Sequence, residues 1–231
     1  MAGKVTRKRG APLSLREQAL ASIKKGILDS LYPPGSLLSE GQLAEELRIS
    51  RTPIREAMRE LAAGGLVRVL PQRGIIVTEL AARDVIEVYQ IREQLECFAV
   101  RVAAELATPA DLKALEGDHR EAIEHIKAAR LRPAYDASVR LHTRVISLAG
   151  NGRLSQIMTL LGDQVHRFGL LTLRHGRADS ALSEHGEIIA AIEARDADAA
   201  ERLMRAHLRA DRDVALRLTL PAGISTPALA A

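Results

Sequence analysis

From about Arg83 to Leu218 every apolar repeat in this chain has helical spacing, and only residues 66–77 break into β-prone runs. That asymmetry confines the fold to a small N-terminal unit containing a hairpin and a larger, all-helical unit behind it. The runs Leu66-Val67-Arg68-Val69-Leu70 and Ile75-Ile76-Val77 are separated by Pro71-Gln72-Arg73-Gly74, a hairpin pattern. Ahead of them, Leu20, Ile23 and Ile27 mark a helix over 14–30, ended by Tyr32-Pro33-Pro34-Gly35. A short helix is expected over 39–47, with Ser39 as its N-cap, and another over 51–63. The second places Ile54, Ala57, Met58 and Leu61 on one face and ends at Gly64-Gly65. Ser50 or Thr52 caps it, and Pro53 is tolerated in the first turn, where amides lack an intrahelical partner.

Breaks near Thr108-Pro109, Arg132-Pro133, Gly150-Asn151-Gly152, His175-Gly176 and Arg195-Asp196 divide the rest into about six helices. Aromatics are only 2% of the chain, so aliphatic side chains must build the core, which suits helix packed on helix. Residues 1–12 and the tail from Pro221 read as disordered. The expected fold class is mainly α. A winged helix-turn-helix with a small β-hairpin wing spans 13–78, and an all-α helical bundle spans 83–218.

Charge follows the same division. Residues 1–77 hold 13 Lys/Arg against 7 Asp/Glu, a surplus of six, whereas the remainder holds 20 against 22. A basic head on a near-neutral body fits a polyanion-binding module; the surplus taken alone fits ordinary surface charge equally well. Two short helices joined by a three-residue turn place the second in a DNA major groove. On that helix Arg51, Arg55 and Arg59 recur every four residues beside the apolar stripe, so they point outward together. A guanidinium donates two parallel hydrogen bonds to guanine edges or phosphates. Thr52 is placed to bond a phosphate beside free helix-start amides, and Arg73-Gly74 at the hairpin tip is placed to reach a neighbouring minor groove. Spacing alone also fits a solvated arginine face.

The residues themselves carry more. Pro34-Gly35-Ser36-Leu37-Leu38-Ser39-Glu40-Gly41-Gln42-Leu43-Ala44, then Ile49 through Leu61, Gly65-Leu66-Val67 and Pro71-Gln72-Arg73-Gly74, resemble the GntR family of bacterial regulators. The resemblance implies that Arg51, Thr52 and Arg55 contact DNA and that Gly74 sits at the wing tip. Position 41, which can carry a DNA-contacting arginine in that family, is Gly41 here. Further on, residues 84–96, Leu141-His142, Leu148-Ala149-Gly150-Asn151, Glu184-His185 and residues 204–208 resemble, in order, the FCD module of FadR-like regulators. This implies a bundle that binds a small organic acid, often beside a divalent metal.

The residue pattern points the same way. His142 shares a face with Val139, Val145 and Ile146, His185 with Leu182, Ile188, Ile189 and Ile192, and His207 with Leu203, Met204 and Val214. Three helices thus each aim one imidazole inward. A single inward histidine is usually a hydrogen-bonded core residue; three converging ones suit a divalent cation such as zinc, nickel or manganese. The metal-binding version of the module carries Asp one turn before the first histidine; here that residue is Ser138, so a negative charge is lost. Ser138, Arg92 and Arg167 are candidates to hold the effector's carboxylate, the arginines serving equally well as structural ion pairs. Asn151 reads as a helix N-cap.

Together these features describe a homodimeric regulator of double-stranded operator DNA, modulated by a small organic acid. The alternative is a metal-dependent enzyme using the three histidines, with Glu184 and Glu187 as the nearby bases; no H-E-x-x-H motif supports it. The lone Cys97 excludes a disulfide framework. The basic N-terminus lacks the apolar run of a signal peptide, and no stretch is long enough to cross a membrane. The expected location is the cytoplasm.

Overall fold

The computed structural model describes residues 13–70 and 74–219, in two compact units that divide between Glu79 and Leu80. The expected disorder of residues 1–12 and of the tail from Pro221 falls outside these residues, as does Arg73.

In the first unit, α1 (Leu15–Leu28) opens on a capping box between Ser14 and Glu17. Helix α2 (Glu40–Leu47) is capped by Ser39, and its last carbonyls are closed by Arg48 in the left-handed region (φ 54°). This tight turn leads into α3 (Arg51–Ala63). Ser50 holds the N-cap position of α3, but neither it nor Thr52 supplies a side-chain cap. The wing gains a strand that pattern reading misses: β1 (Leu37–Leu38) joins β2 (Val67–Leu70) and β3 (Gly74–Val77) in an antiparallel sheet of order β1-β3-β2. Leu37 pairs with Ile76, and Leu70 with Gly74, whose φ of 98° suits glycine alone. Ile23, Ile54, Met58, Leu61 and Val77 lie at the centre of this unit's core.

The second unit contains six helices among the described residues: α4 (Ala82–Leu106), α5 (Pro109–Lys127), α6 (Leu131–Leu148), α7 (Gly152–Thr172), α8 (Ala178–Glu193) and α9 (Ala197–Thr219). Helix α4 runs along α9 and also packs on α6. Thr108 and Asp111 form the capping box of α5, with Pro109 in its first turn. Asn151 caps α7 by accepting from the amides of Arg153 and Leu154. The expected break at Arg132-Pro133 lies earlier, around Ala128–Arg130, because Pro133 sits in the first turn of α6 and interrupts no hydrogen bond there. Between α7 and α8 the chain widens into a π turn, Leu173–Arg177, with non-helical His175 and left-handed Gly176. The core is aliphatic, from Val85, Val100, Leu141, Ile188 and Met204. Yet Arg92, Glu96, Arg177, His185 and His207 are buried in the same unit. Buried charge persists only where partners satisfy it, and those partners define a site.

Candidate functional site

Helix α3 turns Ile54, Ala57, Met58 and Leu61 into the core. Its opposite face presents Arg51, Thr52, Arg55 and Arg59, all exposed. Arg55 is not bare: Nε and Nη2 each donate to Glu40 Oε2 at 3.1 Å. Glu40, at the start of α2, therefore braces one edge of that guanidinium and leaves the other outward. Fifteen residues separate the two, so spacing along one helix does not reveal the pair. A side chain at Gly41 would meet Arg51 Nη2 at 3.6 Å, so the glycine leaves the space beside Arg51 open. Gly74 is exposed at the start of β3.

The second unit encloses a cavity of about 490 Å³ lined by α4, α6, α7, α8, α9 and the π turn. At one place on its wall His142 (α6), His185 (α8) and His207 (α9) converge, each offering one nitrogen within 4.8 Å of the others. His142 Nε2 and His185 Nε2 stand 3.2 Å apart, and His185 Nε2 and His207 Nε2 3.3 Å.

The groups behind the rings set their tautomers. His142 Nδ1 donates to Glu96 Oε2 at 2.6 Å, and His207 Nδ1 to Glu184 Oε2 at 2.7 Å. An ionised carboxylate only accepts, so both Nδ1 atoms carry the proton and both rings turn Nε2 toward the centre, the atom that a neutral ring would offer to a cation. Burial lowers the His142 pKa, with Glu96 working against it. Burial, reinforced by the two neighbouring imidazoles, takes His185 well below its ordinary value. His142 and His185 are thus held toward the neutral form, and the convergence of three Nε2 atoms suits a borderline cation.

Glu96 is itself buried, which works against its charge. Arg92 and His142 outweigh that and hold its carboxyl well below the usual range. Arg92 Nε donates to Glu96 Oε1 at 2.7 Å, and the guanidinium lies over the Tyr89 ring, 5.0 Å from its centroid. Glu184 is held at about 2: burial opposes its charge, while bonds from His207 and Arg177 favour it. Arg177, which sequence reasoning passes over, donates to Glu184 and, through Nε, to Asp211 Oδ1 at 2.9 Å. Its place directly after the left-handed Gly176, in a break between helices, disguised it as a loop residue.

Arg92 and Ser138 line the cavity; Arg167 does not. Arg167 is buried, with Asp84 as a charged neighbour.

Comparison with known proteins accords with this arrangement. Residues 15–77 match the profile of bacterial regulatory proteins of the gntR family, and residues 87–210 match the FCD domain. The chain is 30% identical to an uncharacterized HTH-type transcriptional regulator, YdhC of Bacillus subtilis, over 82% of this chain and 85% of that one. It is 28% identical to the HTH-type transcriptional repressor RspR of Escherichia coli, over 84% and 86%. Among solved structures, E. coli McbR/YncC superposes with a TM-score of 0.74 at 20% identity, covering 90% of this chain and 99% of that one, a likeness of fold. These relatives are transcription regulators rather than enzymes. No described helix is long and apolar enough to cross a membrane.

Proposed function

The chain belongs to the GntR family of bacterial transcription regulators and carries an FCD domain, and from that premise we propose that it couples operator binding to capture of a small organic acid. The observation that carries this reading is the carboxylate-backed trio His142, His185 and His207 on the wall of a 490 Å³ cavity. A divalent cation (zinc, nickel or manganese) held there would supply a Lewis-acidic anchor for a carboxylate. Arg92 would pair with that carboxylate through its terminal nitrogens, since only Nε is spent on Glu96. Ser138, one turn before His142 on α6, would add a neutral hydrogen bond. On the DNA side, Arg51, Thr52, Arg55 and Arg59 would read the major groove, and Arg73 and Gly74 would approach the adjacent groove from the wing. Where effector capture changes operator affinity, operator binding changes effector affinity by the same factor. A cytoplasmic regulator of this kind needs no membrane partner.

The test is to select genomic fragments with the purified protein and titrate one of them by fluorescence anisotropy. Titrations with small organic acids, with and without zinc, nickel or manganese, should shift the midpoint for at least one acid. Selection of no fragment above random DNA would overturn the operator reading. Operator affinity indifferent to every acid and cation would overturn the effector reading.

Domain autonomy and assembly form a second proposal: residues 13–78 as the DNA-binding domain and 83–218 as the effector-binding and dimerisation domain. Two-fold operators call for two heads. On α4, Ile91 and Phe98 are 41% and 49% exposed and share a face with part-buried Leu95, an apolar strip suited to a second copy. A fragment of residues 79–220 is expected to sediment as a dimer, and a fragment of residues 1–78 as a monomer that binds DNA weakly. Phe98→Glu is expected to render the longer fragment monomeric; a dimer unaffected by that change would place the interface elsewhere.

A further inference from the structure

We propose that Asp211 is the anionic ligand of the cation site, delivered from α9 rather than from α6; this rests on the divalent-cation reading above. Asp211 follows His207 by one helical turn and lines the same cavity wall. Its Oδ2 lies 3.7 Å from His207 Nε2. Donors about 2 Å from a shared tetrahedral cation stand roughly 3.3 Å from one another. The two histidine separations, 3.2 and 3.3 Å, already have that spacing, and Asp211 needs only a small side-chain rotation to reach it. The other oxygen, Oδ1, accepts from Arg177 Nε at 2.9 Å, which leaves Oδ2 as the donor on the histidine side. Arg177 thereby positions both Asp211 and Glu184, the carboxylate behind His207.

Charge supports the assignment. Three neutral imidazoles would leave a buried divalent ion uncompensated, a costly state. Glu96 sits behind His142 and Glu184 behind His207, one ring removed from the ion, and Ser138 is a neutral hydroxyl. The local charges are Arg92 and Arg177 against Glu96, Glu184 and Asp211, one negative in excess. A divalent cation turns this into one positive charge, which a single effector carboxylate neutralises. On this assignment the site is complete enough to hold the cation without effector, and Ser138 stays available to the effector.

The test uses the full chain, stripped of metal, titrated calorimetrically with zinc. Cobalt(II) absorption reports the ligand sphere, and circular dichroism of the stripped proteins checks the fold. Asp211→Asn keeps the acceptor for Arg177 and is expected to weaken zinc by tenfold or more and to change the cobalt spectrum. His185→Ala is expected to abolish binding. Ser138→Asp in the wild-type background is expected to tighten zinc by less than threefold, because the anionic position is filled. In the Asp211→Asn background the same change is expected to restore most of the loss. Wild-type zinc affinity and cobalt spectrum retained in Asp211→Asn, while His185→Ala abolishes binding, would overturn the Asp211 assignment and leave the cation reading standing. So would a tenfold gain from Ser138→Asp alone, a result that remains decisive even where Asp211→Asn fails to fold. A wild-type chain that binds neither zinc nor cobalt would overturn both.

Discussion

The Arg55→Ala variant is expected to bind its selected operator roughly 5- to 150-fold more weakly than the wild type and to lose discrimination at one base position. Two effects add. The variant loses the outward edge of a guanidinium suited to a guanine, and it frees the Glu40 carboxylate that now pairs with Arg55. An unneutralised carboxylate facing the phosphate backbone repels it, so the loss should be larger at low salt. Glu40→Ala separates the two contributions. That variant keeps the arginine but releases its brace, so specificity should fall more than affinity. Arg59, on the same face without such a brace among the described residues, should behave as a phosphate contact, and Arg59→Ala should weaken all sequences alike. Anisotropy titrations against the selected and a scrambled duplex across a salt series would read all three. Unchanged selectivity in both Arg55→Ala and Glu40→Ala would mean that another element reads the bases.

What could be read from the chain, and what could not, divides along chemistry. Aliphatic periodicity located the helices, since each buries a stripe of Leu, Ile, Val or Ala, and it aimed the three histidines inward because each lies three or four residues from such a stripe. The same logic has no grip on β1, since two residues show no alternation, and Leu37-Leu38 becomes a strand only through pairing with Ile76 and Ile75. It also fails for buried charge. Arg92 and Glu96 have the four-residue spacing of an exposed helical ion pair; only the fold reveals that both are inside. Glu184, Arg177 and Asp211 come from α8, the π turn and α9, so their network exists only in three dimensions. Arg167 shows the converse: an arginine within an apolar helix invites a ligand role, yet it is buried near the charge of Asp84 and is not among the residues that line the cavity.

Glu96 ties these observations together, and its removal is expected to be the most destabilising single change in the second unit. Glu96→Ala would leave Arg92, 4% exposed, without its counter-charge and would strip His142 of its acceptor. Breaking a buried pair by deleting one partner costs about 3–5 kcal/mol, which corresponds to a fall of about 6–20 °C in the melting temperature of a chain this size. Glu96→Gln, which keeps shape and an acceptor oxygen, should lose less. The pH dependence carries a second signature, measured with chelator present. The carboxyls of Glu96 and Glu184 are lowered in the fold, so their stabilisation is present above the unfolded value of about 4.3 and is lost as pH falls further. His142 and His185 are also lowered, but here the neutral ring is the favoured form. The unfolded chain takes up these protons first, so stability should begin to fall as pH drops below about 6.5, before any carboxylate titrates. Glu96→Gln should keep that first decline, because removing the carboxylate only makes the His142 imidazolium harder to form. His185→Gln should flatten it. Thermal unfolding followed by circular dichroism from pH 8 to pH 4 would test both. A melting temperature for Glu96→Ala within a degree of the wild type, or a wild type that gains stability between pH 7 and pH 5, would show that this network does not hold the site together.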